Sequence, residues 1–183
     1  MKALDFATGP GRNIVKYANI FQSIDGVDIA QKNLDNARSW IGHNNLDISK
    51  HKLILCNGVD LSDISDNTYD VVFSTIAFQH ICVYDIRYKY LTEIHRVLKN
   101  GGYITFQMGY GTPSKKTVGY YVNNYNALGT NRECDVAVST PDEIKKDLES
   151  IGFENFQYKI CKVGPGDWHP NWIYFNAQRK SAS

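Results

Sequence analysis

The chain has 183 residues, of which 43% are hydrophobic and 21% charged, and a formal net charge of +1. That size suits a single domain with one core, and no stretch approaches the roughly 20 apolar residues of a membrane span. The near-neutral balance supplies no basic stripe for a phosphate backbone, so neither a membrane nor a nucleic acid is the expected partner.

In chain order, hydrophobic period and breakers predict a strand at Lys2–Phe6, a glycine-rich turn at Ala7–Arg12 and a helix at Asn13–Asn19. The start shows no charged and apolar regions of a secretory signal, so the expected setting is cytoplasmic. A strand near Gln22–Val27, a helix over Ala30–His43, a strand near Lys52–Cys56 and a loop at Asn57–Asn67 come next. The continuous apolar run Tyr69–Ser74 reads as a strand buried on both faces. Tyr84–Leu98 carries Leu91, Ile94 and Leu98 on one helical face and ends at Asn100-Gly101-Gly102.

After a strand at Tyr103–Met108 comes a Gly-, Asn- and Tyr-rich segment, Gly109–Ser139, too long for an ordinary connection and expected to act as a lid. Thr140, Pro141 and Glu143 open a helix that runs to Ser150 and stops at Gly152. The closing strands, Glu154–Val163 and Trp172–Gln178, are joined by a loop too short for a helical crossover, so the last strand should run antiparallel. The expected fold is one α/β domain over residues 1–183: a doubly wound, mostly parallel seven-stranded sheet with an antiparallel last strand and helices on both faces.

The strongest local signal is Leu4-Asp5-Phe6-Ala7-Thr8-Gly9-Pro10-Gly11-Arg12, a strand passing through a tight turn into a helix. Glycines 9 and 11 remove the Cβ atoms that would block a ligand, and a following helix start offers free N–H groups to an anion. A plain strand–helix turn is the bland alternative. Gly26-Val27-Asp28 then puts a carboxylate at the end of the second strand, where a ribose diol would bind, although Asp28 also suits a helix cap.

These residues resemble the class I S-adenosylmethionine-dependent methyltransferase family, whose D-x-G-x-G-x-G turn reads here Asp5-x-Ala7-x-Gly9-x-Gly11. The resemblance continues through Gly26-Val27-Asp28-Ile29, Asn57-Gly58-Val59-Asp60-Leu61, Tyr69-Asp70-Val71-Val72-Phe73-Ser74 and Glu93-Ile94-x-Arg96-Val97-Leu98-Lys99-x-Gly101-Gly102. It implies S-adenosylmethionine as cofactor, with Asp5, Ala7, Thr8, Gly9 and Gly11 forming the turn beside its methionine part. It also implies Asp28 and Ile29 at the ribose, Asp60 and Leu61 at the adenine side, and Ser74 and Ile76 at the amino end. Ala7 departs from the first glycine, and most family members carry helices ahead of the first strand.

The expected activity is methyl transfer to a small molecule. His80, just past the fourth strand, is the candidate general base, with a loop-orienting role as its alternative. His169, in Asp167-Trp168-His169-Pro170-x-Trp172, is a second candidate; His95 reads as structural, His43 and His51 as solvent-facing, and no metal site emerges. Tyr110, Tyr120, Tyr121 and Tyr125, interleaved with Asn123, Asn124 and Asn126, would wall a substrate pocket or serve as ordinary docking residues of a loop, and Lys115-Lys116 would meet an anion or simply water. The four cysteines, Cys56, Cys82, Cys134 and Cys161, form no C-x-x-C pair and are mostly expected as thiols.

Three other readings compete. Ser74-Thr75-Ile76-Ala77 lacks the Pro-Pro-aromatic run of amino-directed nucleic-acid methyltransferases, and the turn lacks the G-x-G-x-x-G of nicotinamide enzymes. A non-catalytic S-adenosylmethionine-binding module with a protein partner is the remaining alternative.

Overall fold

The computed structural model describes residues 1–112, 118–122, 135–167 and 169–181. Its strands are β1 (Lys2–Phe6), β2 (Ser23–Asp28), β3 (Leu53–Leu55), β4 (Tyr69–Thr75), β5 (Leu98–Tyr110), β6 (Val118–Tyr120), β7 (Asp135–Val138), β8 (Phe153–Lys162) and β9 (Asn171–Arg179). Its helices are α1 (Arg12–Tyr17), α2 (Gln31–His43), α3 (Tyr84–Val97) and α4 (Pro141–Ile151). No helix among the described residues is long and apolar enough to cross a membrane.

β3, β2, β1, β4 and β5 run parallel in that order. β9 lies antiparallel along the far edge of β5, and β8 antiparallel to β9, so the predicted mostly parallel sheet with an antiparallel last strand is what forms. The physical reason is the one the loop length gave: an eight-residue connection reaches back only as a hairpin.

Among the described residues the sheet has nine strands rather than the expected seven, because the 109–139 segment adds β6 and β7. β9 occupies one edge of β5 over Tyr103–Tyr110. β7 pairs with Gly109 and Tyr110 on the other edge, just beyond the last β4 pair, Thr75 with Gln107. β7 therefore stands directly past the carboxyl end of β4, and all four of its residues are buried.

Two apolar cores flank the sheet. Leu4, Phe6, Val72, Ile104 and Phe106 face α3 and α4, whose Leu91, Ile94, Ile144 and Leu148 are buried against them. Ala3, Ile24 and Phe73 face α1 and α2 on the opposite side, with Ile14 and Ile41. This alternation along β1 and β4 is what a strand covered on both faces requires.

The start of α4 differs in detail from the expected capping box. Pro141 sits in the first turn and Gly152 closes the helix in the left-handed region, but Thr140 makes no side-chain cap bond. Glu143 instead accepts from the Ser139 backbone N–H at 2.9 Å.

Arg87, fully buried in α3, fastens the described part of the 109–139 segment. It donates to the carbonyls of Ile81 and Tyr121 and lies over the rings of Tyr84 and Tyr121. Both of those tyrosines donate to Asp147 of α4 at 2.8 Å. Tyr121 is thus a core residue rather than a pocket wall, while Tyr120 is partly exposed. Asn123, Asn124, Tyr125, Asn126, Lys115 and Lys116 lie outside the described residues.

Candidate active site

The carboxyl ends of β1, β2 and β4 open onto a cleft of about 330 Å³. The turn after β1 is folded back in the left-handed region at Ala7 (φ 57°) and again at Gly9 (φ 53°). Gly11 combines φ 77° with a position where an added Cβ would meet the Ala37 Cβ at 2.9 Å, so α1 can pack against α2 only through glycine. α1 is a six-residue helix, shorter than the sequence suggested.

Asp28 organises the turn. Its Oδ2 accepts from the Gly9 N–H at 2.9 Å, and its Oδ1 accepts from the Ala30 N–H at 2.9 Å and from Asn33 Nδ2 at 3.0 Å. One carboxylate therefore fixes the glycine turn and the start of α2, and it still lines the cleft. Asp28 is not itself the N-cap of α2, which is Ala30 with no side-chain cap bond; it bonds that residue's N–H instead.

Asp5 lies beneath the same turn, accepting from the Thr8 hydroxyl at 2.7 Å and from Asn13 Nδ2 at 3.4 Å. Burial pushes its carboxyl up to about 7, against the two hydrogen bonds and helped by the nearby charge of Asp28. Ser74, buried at the end of β4, donates to the Phe6 carbonyl and ties β4 to β1. Ile76 holds φ 58°, a rare conformation for a β-branched residue, and delivers Ala77 to the cleft wall.

Of the expected cofactor residues, Ala7, Gly9, Asp28 and Ile29 line the cleft, as does His80. Asp5, Thr8, Gly11, Ser74 and Ile76 shape the turns behind it. Asp60 and Leu61 are engaged elsewhere. Asp60 accepts from Ser62, Asn57 and Lys89, which hold its carboxyl well below the usual range; Leu61 is buried and donates its N–H to Glu93.

On that side the cleft wall is Cys56 and Gly58, with Tyr90 behind, its hydroxyl 3.9 Å from the Cys56 sulfur. Burial, then Cys56, raises the Tyr90 phenol above its ordinary value. Asn33 completes the wall near Asp28. The sequence held a signal for Gly58, in an Asn-Gly turn, and for Asn33, in the turn of α2 nearest Asp28, but none for Tyr90, which arrives from α3.

His80, on a short 3-10 turn at Phe78–His80, is half-exposed, and its Nδ1 lies 3.8 Å from Asp135 Oδ1. The other oxygen of Asp135 accepts from Gln79 Nε2 at 3.1 Å and meets His169 Nε2 at 3.0 Å. His169 is buried, and its sequence neighbour Asp167 bonds only its backbone N–H among the bonds resolved between them. Among the described residues no group of His, Cys, Asp and Glu is arranged to hold a metal.

The remaining histidines differ in part from expectation. His51 is buried rather than solvent-facing, because its Nδ1 bonds the Ile24 carbonyl at 2.8 Å. His95 is half-buried edge-on against Phe153, and burial lowers its pKa. His43 stacks on Trp40. Cys56 and Cys161 are free thiols, whereas Cys82 is disulfide-bonded, so not all cysteines are reduced.

Comparison with known proteins agrees with this architecture. Residues 4–106 match the family model described as a methyltransferase domain. Among curated proteins none matches.

Among solved structures, the chain is similar to a SAM-dependent methyltransferase from Methanosarcina mazei: TM-score 0.76, 19% identity, covering 99% of this chain and 93% of that one. It is also similar to phosphoethanolamine N-methyltransferase 2 of Haemonchus contortus, crystallised with S-adenosyl-L-methionine: TM-score 0.72, 18% identity, 99% of this chain and 49% of that one. The cyclase SpnF is similar too, at TM-score 0.74 and 14% identity, over 99% of this chain and 76% of that one.

The chain belongs to the methyltransferase-domain family and is a class I S-adenosylmethionine-dependent methyltransferase.

Proposed function

We propose that the protein transfers the methyl group of S-adenosylmethionine to a small-molecule acceptor, with His80 as the general base. The observation that carries this reading is the shared cleft: Asp28 and the Gly9 turn line it together with His80. Its volume, about 330 Å³, falls in the range of small-molecule sites.

The residues present fit the cofactor. Ala7 and Gly9 themselves bring no side chain larger than a methyl group to the cleft. Asp28 offers the ribose diol a carboxylate at the end of β2, and Ile29, Cys56 and Gly58 offer the adenine a mostly apolar slot. Asp60, tied to Lys89 and Asn57, supports that loop from behind in this reading.

The bound cofactor supplies an activated methyl group on a sulfonium. The chain's own contribution is to align the acceptor and exclude water, and to give its departing proton a place on His80. Similarity to a cyclase shows that the fold alone does not set the reaction.

Calorimetric titration with S-adenosylmethionine, and separately with NAD, tests the site. A panel of small acceptors with methyl-labelled cofactor then tests turnover. Binding of the former alone, with label transferred to at least one acceptor, is the expected result. Binding without transfer to any acceptor would instead favour the non-catalytic module.

A further inference from the structure

Asp135 is the first residue of β7, and nothing in the turn and strand motifs of the sequence draws attention to it. The geometry nevertheless gives it four neighbours. Val136 N–H donates to Oδ1 at 3.0 Å, and Gln79 Nε2 and His169 Nε2 converge on Oδ2 at 3.1 and 3.0 Å. The fourth neighbour, His80 Nδ1, lies 3.8 Å from Oδ1. Gln79 is itself fixed, accepting from the Gly109 N–H at 2.7 Å.

Two features show that this cluster is costly for the fold. The Nδ1 of His169 is buried with no hydrogen-bond partner among the described residues. Its ring also presses on the backbone so closely that a Cβ at Gly109 would lie 2.2 Å from Nδ1. A buried imidazole that leaves one nitrogen unsatisfied is expensive as packing. What it achieves is to hold the Asp135 carboxylate in place, one side of which faces a half-exposed histidine on the wall of the cleft.

We propose that Asp135, backed by His169 and Gln79, is the positioning residue for His80: its carboxylate, 3.8 Å from Nδ1, favours the proton on that nitrogen and leaves Nε2 as the basic nitrogen toward the acceptor. The acceptor class follows: a molecule whose nucleophilic atom carries a proton to be removed, a hydroxyl or an ammonium group, rather than a thioether or a tertiary amine. This inference rests on the reading of the cleft given above.

For a hydroxyl acceptor, the oxygen forms its bond to the methyl carbon as the carbon–sulfur bond breaks and that electron pair passes to sulfur. The hydroxyl proton goes to His80 Nε2. The imidazolium so formed has Asp135 beside it, in the manner of a carboxylate that orients a catalytic histidine. The 109–139 segment thereby contributes a charge to the site. Asp135 itself stands behind His80; among the described residues the carboxylate lining the cleft is Asp28, and Tyr90 and Cys56 are the titratable groups that line it beside His80.

Long-range proton–nitrogen NMR on histidine-labelled protein reads the tautomer directly, with His80→Gln identifying the His80 signals. At a pH where His80 is neutral, the wild type should show Nδ1–H with Nε2 bare, and Asp135→Asn should shift His80 toward the Nε2–H form that free imidazole side chains favour. An Nε2–H tautomer in the wild type overturns the proposal, and needs no variant to fold. An unchanged His80 tautomer in folded Asp135→Asn overturns it equally.

The second arm measures label transfer from S-adenosylmethionine to matched hydroxyl, amine and thioether probes. Transfer to the proton-bearing probes should fall about 100- to 10,000-fold in His80→Gln and Asp135→Asn, with cofactor affinity retained. Transfer that prefers the thioether overturns the acceptor class. Failure of the wild type to bind S-adenosylmethionine would instead remove the reading of the cleft, while the tautomer result would still decide the role of Asp135.

Discussion

His169 Nε2 lies 3.0 Å from Asp135 Oδ2, across 34 residues of sequence, in a buried contact at the carboxyl edge of the sheet. The contact exists because β9 and β7 take opposite edges of β5. β7 brings Asp135 past the end of β4, and the loop into β9 brings His169 over Gly109.

That close approach sets a first prediction. Gly109→Ala should cost about 1–3 kcal/mol of stability, as overpacking a tight site does, because the new methyl would overlap the His169 ring. Gly164→Ala is the control, since an added Cβ there meets nothing within 4 Å. Chemical denaturation of the two variants gives the comparison. If the pair cost the same, the ring is not held where the structure puts it. Shortening the ring in a Gly109→Ala, His169→Ser double variant should recover part of the loss, a coupling that a mere backbone effect of alanine would not show.

Asp28 predicts a binding effect. Asp28→Asn replaces an acceptor-only carboxylate that takes three hydrogen bonds by an amide that must turn a donor toward one of them. A lost charged hydrogen bond to the ribose adds to this, and together they should weaken S-adenosylmethionine by roughly 1–3 kcal/mol, or about 5- to 150-fold. Titration calorimetry measures it. Unchanged affinity would take Asp28 out of the cofactor site and leave it only its role in the turn.

Much of this site was legible because its parts are local. The Ala7–Gly11 turn, Asp28 and the order of the first strands lie within short windows whose spacing reflects backbone geometry. The antiparallel β9 was legible for the same reason, through the length of one loop. What escaped was set by long-range contact. Asp135 and His169 meet only once β7 and β9 have taken opposite edges of β5, and Asp167, the acid beside His169 in sequence, bonds its backbone N–H. β6 and β7, three and four residues long, are too short to leave a period in a Gly- and Asn-rich stretch. His51 reads as polar surface, yet the Ile24 carbonyl gives it a buried partner.

Asp5 predicts a pH dependence. Its pKa in the fold, about 7, is above the ordinary 3.8, so the folded state favours the protonated acid. The stability it allows is fully present below the unfolded value and falls as pH rises toward about 7, flattening above. The ceiling is roughly 4 kcal/mol at about 1.4 kcal/mol per pKa unit. Other carboxylates, Asp70 and Glu93 among them, have lowered values and act in the opposite sense. The measurable quantity is therefore a difference: Asp5→Asn, neutral at every pH, should gain about 2–3 kcal/mol relative to wild type between pH 5 and pH 8. A gap independent of pH in parallel denaturation curves would mean that Asp5 is not the buried acid the structure shows.

Ile76 predicts a trade between stability and binding. A branched residue at φ 58° costs about 1–2 kcal/mol in the left-handed region, while glycine there would lose about 0.5–1 kcal/mol of backbone entropy on folding. Ile76 is also 44% exposed, so its removal forfeits little core burial. Ile76→Gly should accordingly leave the protein as stable as wild type or up to about 1 kcal/mol more stable. Strain of this kind persists where the surrounding structure uses it, and here the turn sets Ala77, His80 and Ile81 on one wall of the cleft. The same variant should therefore bind S-adenosylmethionine more weakly, by roughly 3- to 10-fold, as the looser turn pays an ordering cost on binding. Thermal denaturation and calorimetry on one preparation measure both effects. A clear loss of stability would mean that the Ile76 side chain supports the fold by packing, and that its backbone conformation serves no purpose at the cleft.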